Sequence, residues 1–203
     1  PDEARRAVAD VITTLRAAGT GEGLRWSRAE NAHLTLKFLG DVAPEGVQPI
    51  THALSGALAG AEPFEVRPTG IGAFHGAQGV VRGHAVRESY DHDLRVVWIG
   101  MHEERVILGE LASRVERVLA PLGFPAEKRP FYPHITLARM RERADRQTRE
   151  RAFQALEPFL ESHELRPGSS ARALPELPPL GVARVALMQS MHGPEGMVYR
   201  SLA

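Results

Sequence analysis

Two four-residue stretches of this chain share one pattern, in which a histidine and a threonine alternate with apolar residues. They are His33-Leu34-Thr35-Leu36 and His134-Ile135-Thr136-Leu137. Successive side chains of a β-strand point to opposite faces, so each stretch would bury its apolar residues and present an imidazole and a hydroxyl on the other face. About 0.07 such stretches are expected by chance in a chain of this composition. The pair therefore predicts two related strands whose histidines and threonines face one groove.

The spacing of apolar residues around the two stretches indicates an internal duplication. Helical spacing predicts helices over residues 2–19, 44–58, 106–122 and 144–160. Pro49 is compatible only with the first turn of the second of these helices. Apolar alternation or continuous apolar runs predict strands over 32–39, 64–67, 70–74, 95–100 and 134–138, and a terminal hairpin of 182–188 with 197–202. The length fits one domain or two tightly joined lobes.

Composition excludes several classes of protein. With 203 residues and 43% hydrophobic content, the chain can bury a sizeable core and is not disordered as a whole. Its 25 Lys and Arg residues balance 25 Asp and Glu, which argues against nucleic-acid or membrane binding through bulk charge. No apolar run approaches the roughly 20 residues of a membrane span, and no signal peptide is visible. The absence of cysteine excludes disulfides and thiolate zinc sites and fits a cytoplasmic protein.

The paired histidines supply the groups needed for acid–base chemistry at a phosphate. Histidine titrates near neutrality, so one imidazole can deprotonate an attacking water while the other protonates the departing oxygen. The threonine hydroxyls would bond the non-bridging oxygens, which gain charge. Two alternatives stay open: each histidine only packs on its strand, or the two bind zinc, although no third ligand stands at suitable spacing. The sequence contains neither a serine-hydrolase elbow nor a nucleotide-binding fingerprint.

The residues that flank the two stretches extend the pattern to a known family. Residues 31–40 read NAHLTLKFLG, and residues 129–139 read RPFYPHITLAR. Both segments resemble the motifs of the 2H phosphoesterase superfamily, and within it those of the bacterial and archaeal RNA 2',3'-cyclic phosphodiesterases, once named 2'-5' RNA ligases. The similarity covers nearly the whole chain, including residues 120–124 and the terminal pattern over 187–199.

The resemblance implies a fold, a reaction and roles for individual residues. The implied fold is α+β and bilobal, with two antiparallel sheets that are related by pseudo-twofold symmetry and flank a central cleft, and with helices outside. The implied reaction is hydrolysis of an RNA 2',3'-cyclic phosphate to a 2'-phosphate, without metal or cofactor. His33 would be the general acid that protonates O3', and His134 the base that activates water. Three further residues would hold the phosphate: Thr35, Thr136 and Arg139.

Arg139 is the residue at which strand periodicity and the resemblance disagree. Strict alternation from His134 places position 139 on the core face. We expect the strand to end or bulge by Ala138, which would turn the guanidinium toward the phosphate; the alternative is a solvated strand end. Lys37 shares the face of His33 by period, where it would add positive potential or be solvated.

Three aromatic residues are candidates for base stacking, because aromatic faces stack on unpaired RNA bases. They are Trp26, Phe131 and Tyr132. Packing between the lobes is the competing interpretation for each. The expected partner of the chain, as a monomer, is an RNA with a 2',3'-cyclic phosphate end, either a single-stranded end or a tRNA half. Two other functions stay open: ATP-independent 2'-5' joining of tRNA halves, and a non-catalytic RNA-end or nucleotide-binding module.

Two features depart from the family pattern. Members usually open with a strand ahead of the first helix, whereas this sequence begins at that helix, so an N-terminal strand is expected to be missing. Without it, one sheet would have an exposed edge. The segment 75–93 is longer than usual and would extend a hairpin over the rim of the cleft.

Overall fold

A computed structural model describes residues 2–20, 22–76, 79–81, 93–101, 105–160, 174–175, 177–193 and 196–203. The chain divides into two compact units, each built from three separate segments. The first unit comprises residues 1–34, 67–102 and 134–179, and the second comprises 35–66, 103–133 and 180–203. Within the described ranges, no helix is long and apolar enough to cross a membrane.

The chain combines four helices with runs of consecutive strands in its described residues, as the α+β class does. The helices are α1 (Asp2–Leu15), α2 (Pro44–Leu58), α3 (Arg105–Leu119) and α4 (Arg146–Leu156). The strands are β1 (Leu24–Trp26), β2 (Phe64–Val66), β3 (Pro68–His75), β4 (Gly79–Val81), β5 (Leu94–Met101), β6 (His134–Met140), β7 (Leu180–Val182), β8 (Met188–Gly193) and β9 (Gly196–Ser201). In the described residues, all of the pairs between these strands are antiparallel, which confirms the predicted α+β class with antiparallel sheets.

The first unit is organised on a five-stranded sheet in the order β1-β6-β5-β3-β4. One row of paired residues crosses four of its strands: Ala73 of β3, Val97 of β5, Ala138 of β6 and Trp26 of β1. Paired residues point to the same side of a sheet, and the two alanines and the valine of this row are fully buried. We call this side the helix face, because helix α4 covers it. His75 lies two residues after Ala73 and therefore on the same side of β3. Its ring contacts the ring of Phe153 of α4.

Arg149 connects α4 to the first residue of β5. Its buried guanidinium donates hydrogen bonds to the carbonyl oxygens of Leu94 (2.9 Å) and Ala144 (3.1 Å) and lies 3.1 Å from Asp93 Oδ1. Asp145 caps the start of the same helix by accepting a 2.8 Å bond from the backbone N–H of Thr148. This bond holds the pKa of the exposed Asp145 carboxyl below its ordinary value. One loop therefore sets both the start of α4 and its attachment to the sheet.

The second unit contains a packed pair of helices, the β2–β7 ribbon and the β8–β9 hairpin. Ile50 of α2 packs with Val115 and Leu119 of α3 to form a buried cluster. Leu36, the last residue of the first histidine motif, and Leu39, three residues later, pack against this cluster. The core of the second unit thus takes up one of the two apolar residues of that motif.

Three predictions about elements are wrong. Residues 32–39 do not form a strand, because Leu36 and Leu39 pack on helices and only Leu34 forms a β-bridge. Helix α2 continues through Pro49, because this residue and Glu45, whose carbonyl oxygen has no N–H donor from the proline, are exposed to water. The terminal hairpin is displaced toward the C-terminus, because residues 180–182 pair with β2 and the hairpin begins only at Met188. The predicted extension over 75–93 lies mainly outside the described residues.

Candidate active site

Strand β6 presents the second motif on the side of the sheet opposite to the helix face. In the pairing register, His134, Thr136 and Arg139 stand opposite Gly100, Trp98 and Val96 of β5. These β5 residues alternate along their strand and therefore share one side, and their partners share it with them. We call this side the site face. It brings the imidazole, the hydroxyl and the guanidinium of the motif together on one strand.

A β-bulge at Leu137 places Arg139 on this face. Thr136 and Ala138 stand opposite consecutive residues of β5, so Leu137 is an extra residue in β6. An extra residue shifts the alternation of side chains by one position, and Arg139 consequently lies on the same side as His134 and is exposed. The predicted bulge by Ala138 is confirmed. Phosphate binding by Arg139 stays a prediction.

Two aromatic residues of the site face surround the ring of His134. The Phe74 ring stands perpendicular to the imidazole, with centroids 4.9 Å apart, and the Trp98 ring lies 6.2 Å away at 57°. Phe74 and Trp98 also contact each other, with centroids 5.3 Å apart. Packed aromatic neighbours restrict side-chain rotation, so His134 is held in a defined orientation at the surface of the sheet.

Gly72 of β3 makes room for this aromatic arrangement. It pairs with Trp98, and a Cβ atom at residue 72 would overlap the six-membered ring of the indole. We expect Gly72→Ala to lower the free energy of unfolding by about 1–3 kcal/mol, because the buried ring must move. Urea unfolding followed by circular dichroism measures the change. Gly181→Ala in β7 is the control, since a Cβ atom there meets nothing within 4 Å; equal midpoints for the two variants would contradict the steric argument.

The first motif adjoins the second through one β-bridge. Leu34 and Ile135, the residues that follow the two histidines, form an antiparallel bridge within the first unit. Strand β1 also pairs with β6, and the segment that connects β1 to the bridge contains a 3-10 turn at residues 29–31. In the register of the bridge, His33 stands beside Thr136 on the site face. The two motifs therefore lie next to each other, but a single bridge joins them and not a pair of strands.

A backbone carbonyl fixes the tautomer of His33. Its Nδ1 lies 2.6 Å from the carbonyl oxygen of Asn31, and a carbonyl oxygen can only accept a hydrogen bond. Nδ1 therefore carries a proton. The 3-10 turn that contains Asn31 thus orients the exposed imidazole of His33 through this bond.

Lys37 occupies neither of the two positions expected from the sequence. Its Nζ donates to Glu116 Oε2 at 2.5 Å and to the carbonyl oxygen of Pro125 at 2.8 Å, and its side chain is only 6% exposed. The ion pair lies entirely within the second unit, where it joins the motif segment to α3. Thr35, the first residue of that unit, is exposed. Both expectations for Lys37 are therefore wrong.

The three candidates for base stacking have different positions. Trp26 pairs with Ala138 and so lies on the helix face, which does not favour contact with a molecule bound beside His134. Phe131 and Tyr132 are half-buried in the second unit, in the segment that leads into β6. Sequence reasoning missed Phe74, because nothing in a single strand shows which other strand will lie beside it. Within the described part of the chain, no group of three His, Asp or Glu side chains is placed to hold a metal ion.

The fold has counterparts among solved structures. The TT0787 protein of Thermus thermophilus superposes with a TM-score of 0.60 and 26% identity, over 100% of this chain and 91% of that one. Escherichia coli LigT complexed with 3'-AMP gives a TM-score of 0.64 at 22% identity, over 98% and 90% of the two chains. At this level of identity, the likeness to LigT shows a shared fold.

The sequence identifies the family. Residues 1–81 and 99–199 match the family described as LigT like Phosphoesterase, and both histidine motifs fall within these ranges. The chain belongs to this family. RNA 2',3'-cyclic phosphodiesterases are similar to it: that of Geobacillus stearothermophilus is 36% identical over 114 residues, and that of Aeropyrum pernix is 32% identical over 126 residues. These matches cover 56% and 61% of the present chain but only 32% and 61% of the two relatives. The Thermus thermophilus relative is 34% identical over 149 residues, which cover 72% of this chain and 67% of the relative.

Proposed function

We propose that this protein hydrolyses RNA 2',3'-cyclic phosphate ends to 2'-phosphates, without a metal ion or other cofactor. The observation that carries the proposal is the bridge between Leu34 and Ile135, because it joins both histidine motifs at one edge of β6. The names of the similar relatives point to the same substrate class. A pair of imidazoles at one site suits a reaction that removes one proton and delivers another.

The proposed step is a displacement at phosphorus in which His134 acts as base and His33 as acid. The oxygen of a water molecule forms a bond to phosphorus, and the proton that it loses passes to the imidazole of His134. The bond between phosphorus and O3' breaks, and O3' takes the proton from Nε2 of His33. Because Nδ1 of His33 donates to the Asn31 carbonyl oxygen, Nε2 is the nitrogen that would give this proton. The product is a 2'-phosphate with a free 3'-hydroxyl.

Three residues would bind the phosphoryl oxygens as charge builds up on them. Thr136 and Arg139 lie with His134 on the site face, and Thr35 follows the bridge at Leu34. Hydroxyl donors placed at developing negative charge stabilise the transition state, and a guanidinium binds phosphate oxygens through two parallel hydrogen bonds. Thr35, Thr136 and Arg139 would therefore contribute to binding and to catalysis together.

The direct test is incubation of the full chain with an oligonucleotide that ends in a 2',3'-cyclic phosphate, in excess EDTA. We expect complete conversion to a 2'-phosphate, identified by ³¹P NMR and mass spectrometry. Unchanged substrate, or conversion that occurs only after a metal ion is added back, would contradict the proposal. The same assay on paired tRNA halves decides about ligation, since a 2'-5' joined product would assign the site to the reverse reaction.

A further inference from the structure

Two arginines stand directly opposite each other at the edge of the site face. The register of β1 and β6 pairs Arg25 with Arg139, and both residues are exposed. The neighbouring backbone hydrogen bond, 2.8 Å from Ser27 N–H to the Leu137 oxygen, makes this pair one of the hydrogen-bonded type. The Cα atoms of such pairs are about 5.5 Å apart. The two guanidinium groups therefore extend from adjacent points on the same side of the sheet.

This pairing is unfavourable unless an anion lies between or beside the two groups. Like charges directly opposite each other destabilise an antiparallel pair. Among the described residues, neither Arg25 nor Arg139 has a carboxylate within ion-pair distance, whereas Arg95, Arg146 and Arg149 of the same unit each have one. A guanidinium is weakly hydrated and binds phosphate oxygens in a bidentate manner. The edge of β6 and β1 thus has the charge and the donors for phosphate groups.

The charge of the substrate indicates how many phosphates these arginines meet. A cyclic phosphate has two non-bridging oxygens and a single negative charge, and under the proposed function it already receives Arg139 and two threonine hydroxyls. An internal phosphodiester of RNA likewise carries one negative charge. Two guanidinium groups side by side therefore match two successive phosphates better than one.

We propose that Arg25 binds the phosphodiester that precedes the cyclic phosphate, so that the site selects an oligonucleotide end over a cyclic mononucleotide. This inference rests on the proposed function, because Arg139 marks the position of the cyclic phosphate. It defines the substrate class as a chain of at least two nucleotides. Arg25 contributes affinity for the longer substrate, and His33 and His134 perform the chemistry on either.

The test compares two substrates that differ by one phosphodiester, a cyclic mononucleotide (A>p) and the dinucleotide ApA>p. For Arg25→Gln, we expect the ratio of kcat/KM for ApA>p to that for A>p to fall about tenfold, mainly through KM, because one charged contact is lost. The dependence of log KM for ApA>p on log salt concentration should also decrease by about 0.7, the contribution of one phosphate contact to a single strand. Arg146→Gln on α4, which removes the same charge behind the helix face, should leave the ratio unchanged.

The possible failures are distinguishable. If the wild type hydrolyses A>p and ApA>p but Arg25→Gln leaves their ratio unchanged, Arg25 does not bind a second phosphate, and the proposed function stands. If the wild type hydrolyses neither, the proposed function fails. Calorimetric titration of the wild type and of Arg25→Gln with the uncleaved ApA>p then shows whether Arg25 binds a phosphate. A tenfold weaker Kd for Arg25→Gln would support the phosphate contact, and an equal Kd would overturn it.

Discussion

Replacing His134 or His33 with alanine is expected to lower kcat for a 2',3'-cyclic phosphate end by about 10²–10⁴-fold, because each variant lacks one of the two proton-transfer groups. The effect should fall on kcat more than on KM, since the phosphate contacts proposed for Thr136 and Arg139 would remain. His52→Ala is a matched control, because this exposed histidine lies on α2 in the second unit. Steady-state kinetics with ApA>p in EDTA measures the change. Variants that retain more than about a tenth of wild-type kcat would contradict the acid–base mechanism.

The pH dependence of the same variants separates the acid from the base. With both histidines present, kcat/KM should be bell-shaped, because the proposed mechanism requires one neutral and one protonated imidazole. A variant without the base loses the rise on the acidic side, and a variant without the acid loses the fall on the alkaline side. We therefore expect His134→Ala to lose the acidic limb and His33→Ala to lose the alkaline limb. The opposite result would exchange the two roles, which the similar motifs alone do not distinguish.

The second motif was predictable because its own residues alternate between polar and apolar up to the bulge at Leu137. The alternation of His134 and Thr136 with apolar residues predicts a strand with two different faces, and β6 has them. The position of Arg139 could not be predicted from periodicity, since strict alternation assigns this residue to the core face. Only the family resemblance suggested an interruption of the alternation, and the structure supplies it as the bulge at Leu137. A bulge depends on the partner strand, so the sequence of one strand does not determine it.

The first motif shows the limit of periodicity. Leu36 and Leu39 belong to a segment whose alternation predicts a strand, but they pack against the α2 and α3 cluster of the second unit. Lys37, which lies between them, forms an ion pair with Glu116, a residue far away in the sequence. Burial against helices satisfies apolar residues as well as burial in a sheet does, and a short apolar run cannot indicate which will occur. Within the predicted strand 32–39, only Leu34 forms a β-bridge.

The surroundings of the histidines could not be predicted because they depend on the order of strands in the sheet. Phe74 and Trp98 reach His134 only because β3, β5 and β6 lie side by side. Arg25 was missed for the same reason, since its significance lies in the residue that it faces across the ladder. The positions of these residues relative to His134 and Arg139 follow from non-local pairing, which the sequence of a single strand does not determine.

Replacing Arg149 with methionine is expected to lower the free energy of unfolding by about 3–5 kcal/mol and Tm by roughly 10 °C. Methionine fills part of the space but cannot donate to the carbonyl oxygens of Leu94 and Ala144, and it leaves Asp93 with Arg95 as its remaining cation. Buried acceptors without a donor cost about 1–3 kcal/mol each, which exceeds the gain from a more apolar side chain. The loss should therefore be among the largest of any single substitution on α4.

Tryptophan fluorescence during urea unfolding reports this change directly, since both tryptophans of the chain lie in the first unit together with Arg149. Arg146→Met is the control on the same helix, because its ion pair with Glu150 is largely exposed and should contribute less than about 0.5 kcal/mol. Arg149→Lys should fall between the two, since lysine keeps the charge but not the planar fork that reaches separate carbonyls. If Arg149→Met unfolded at the same urea concentration as Arg146→Met, the carbonyl oxygens would have found other donors, and α4 would be held to β5 by its apolar residues alone.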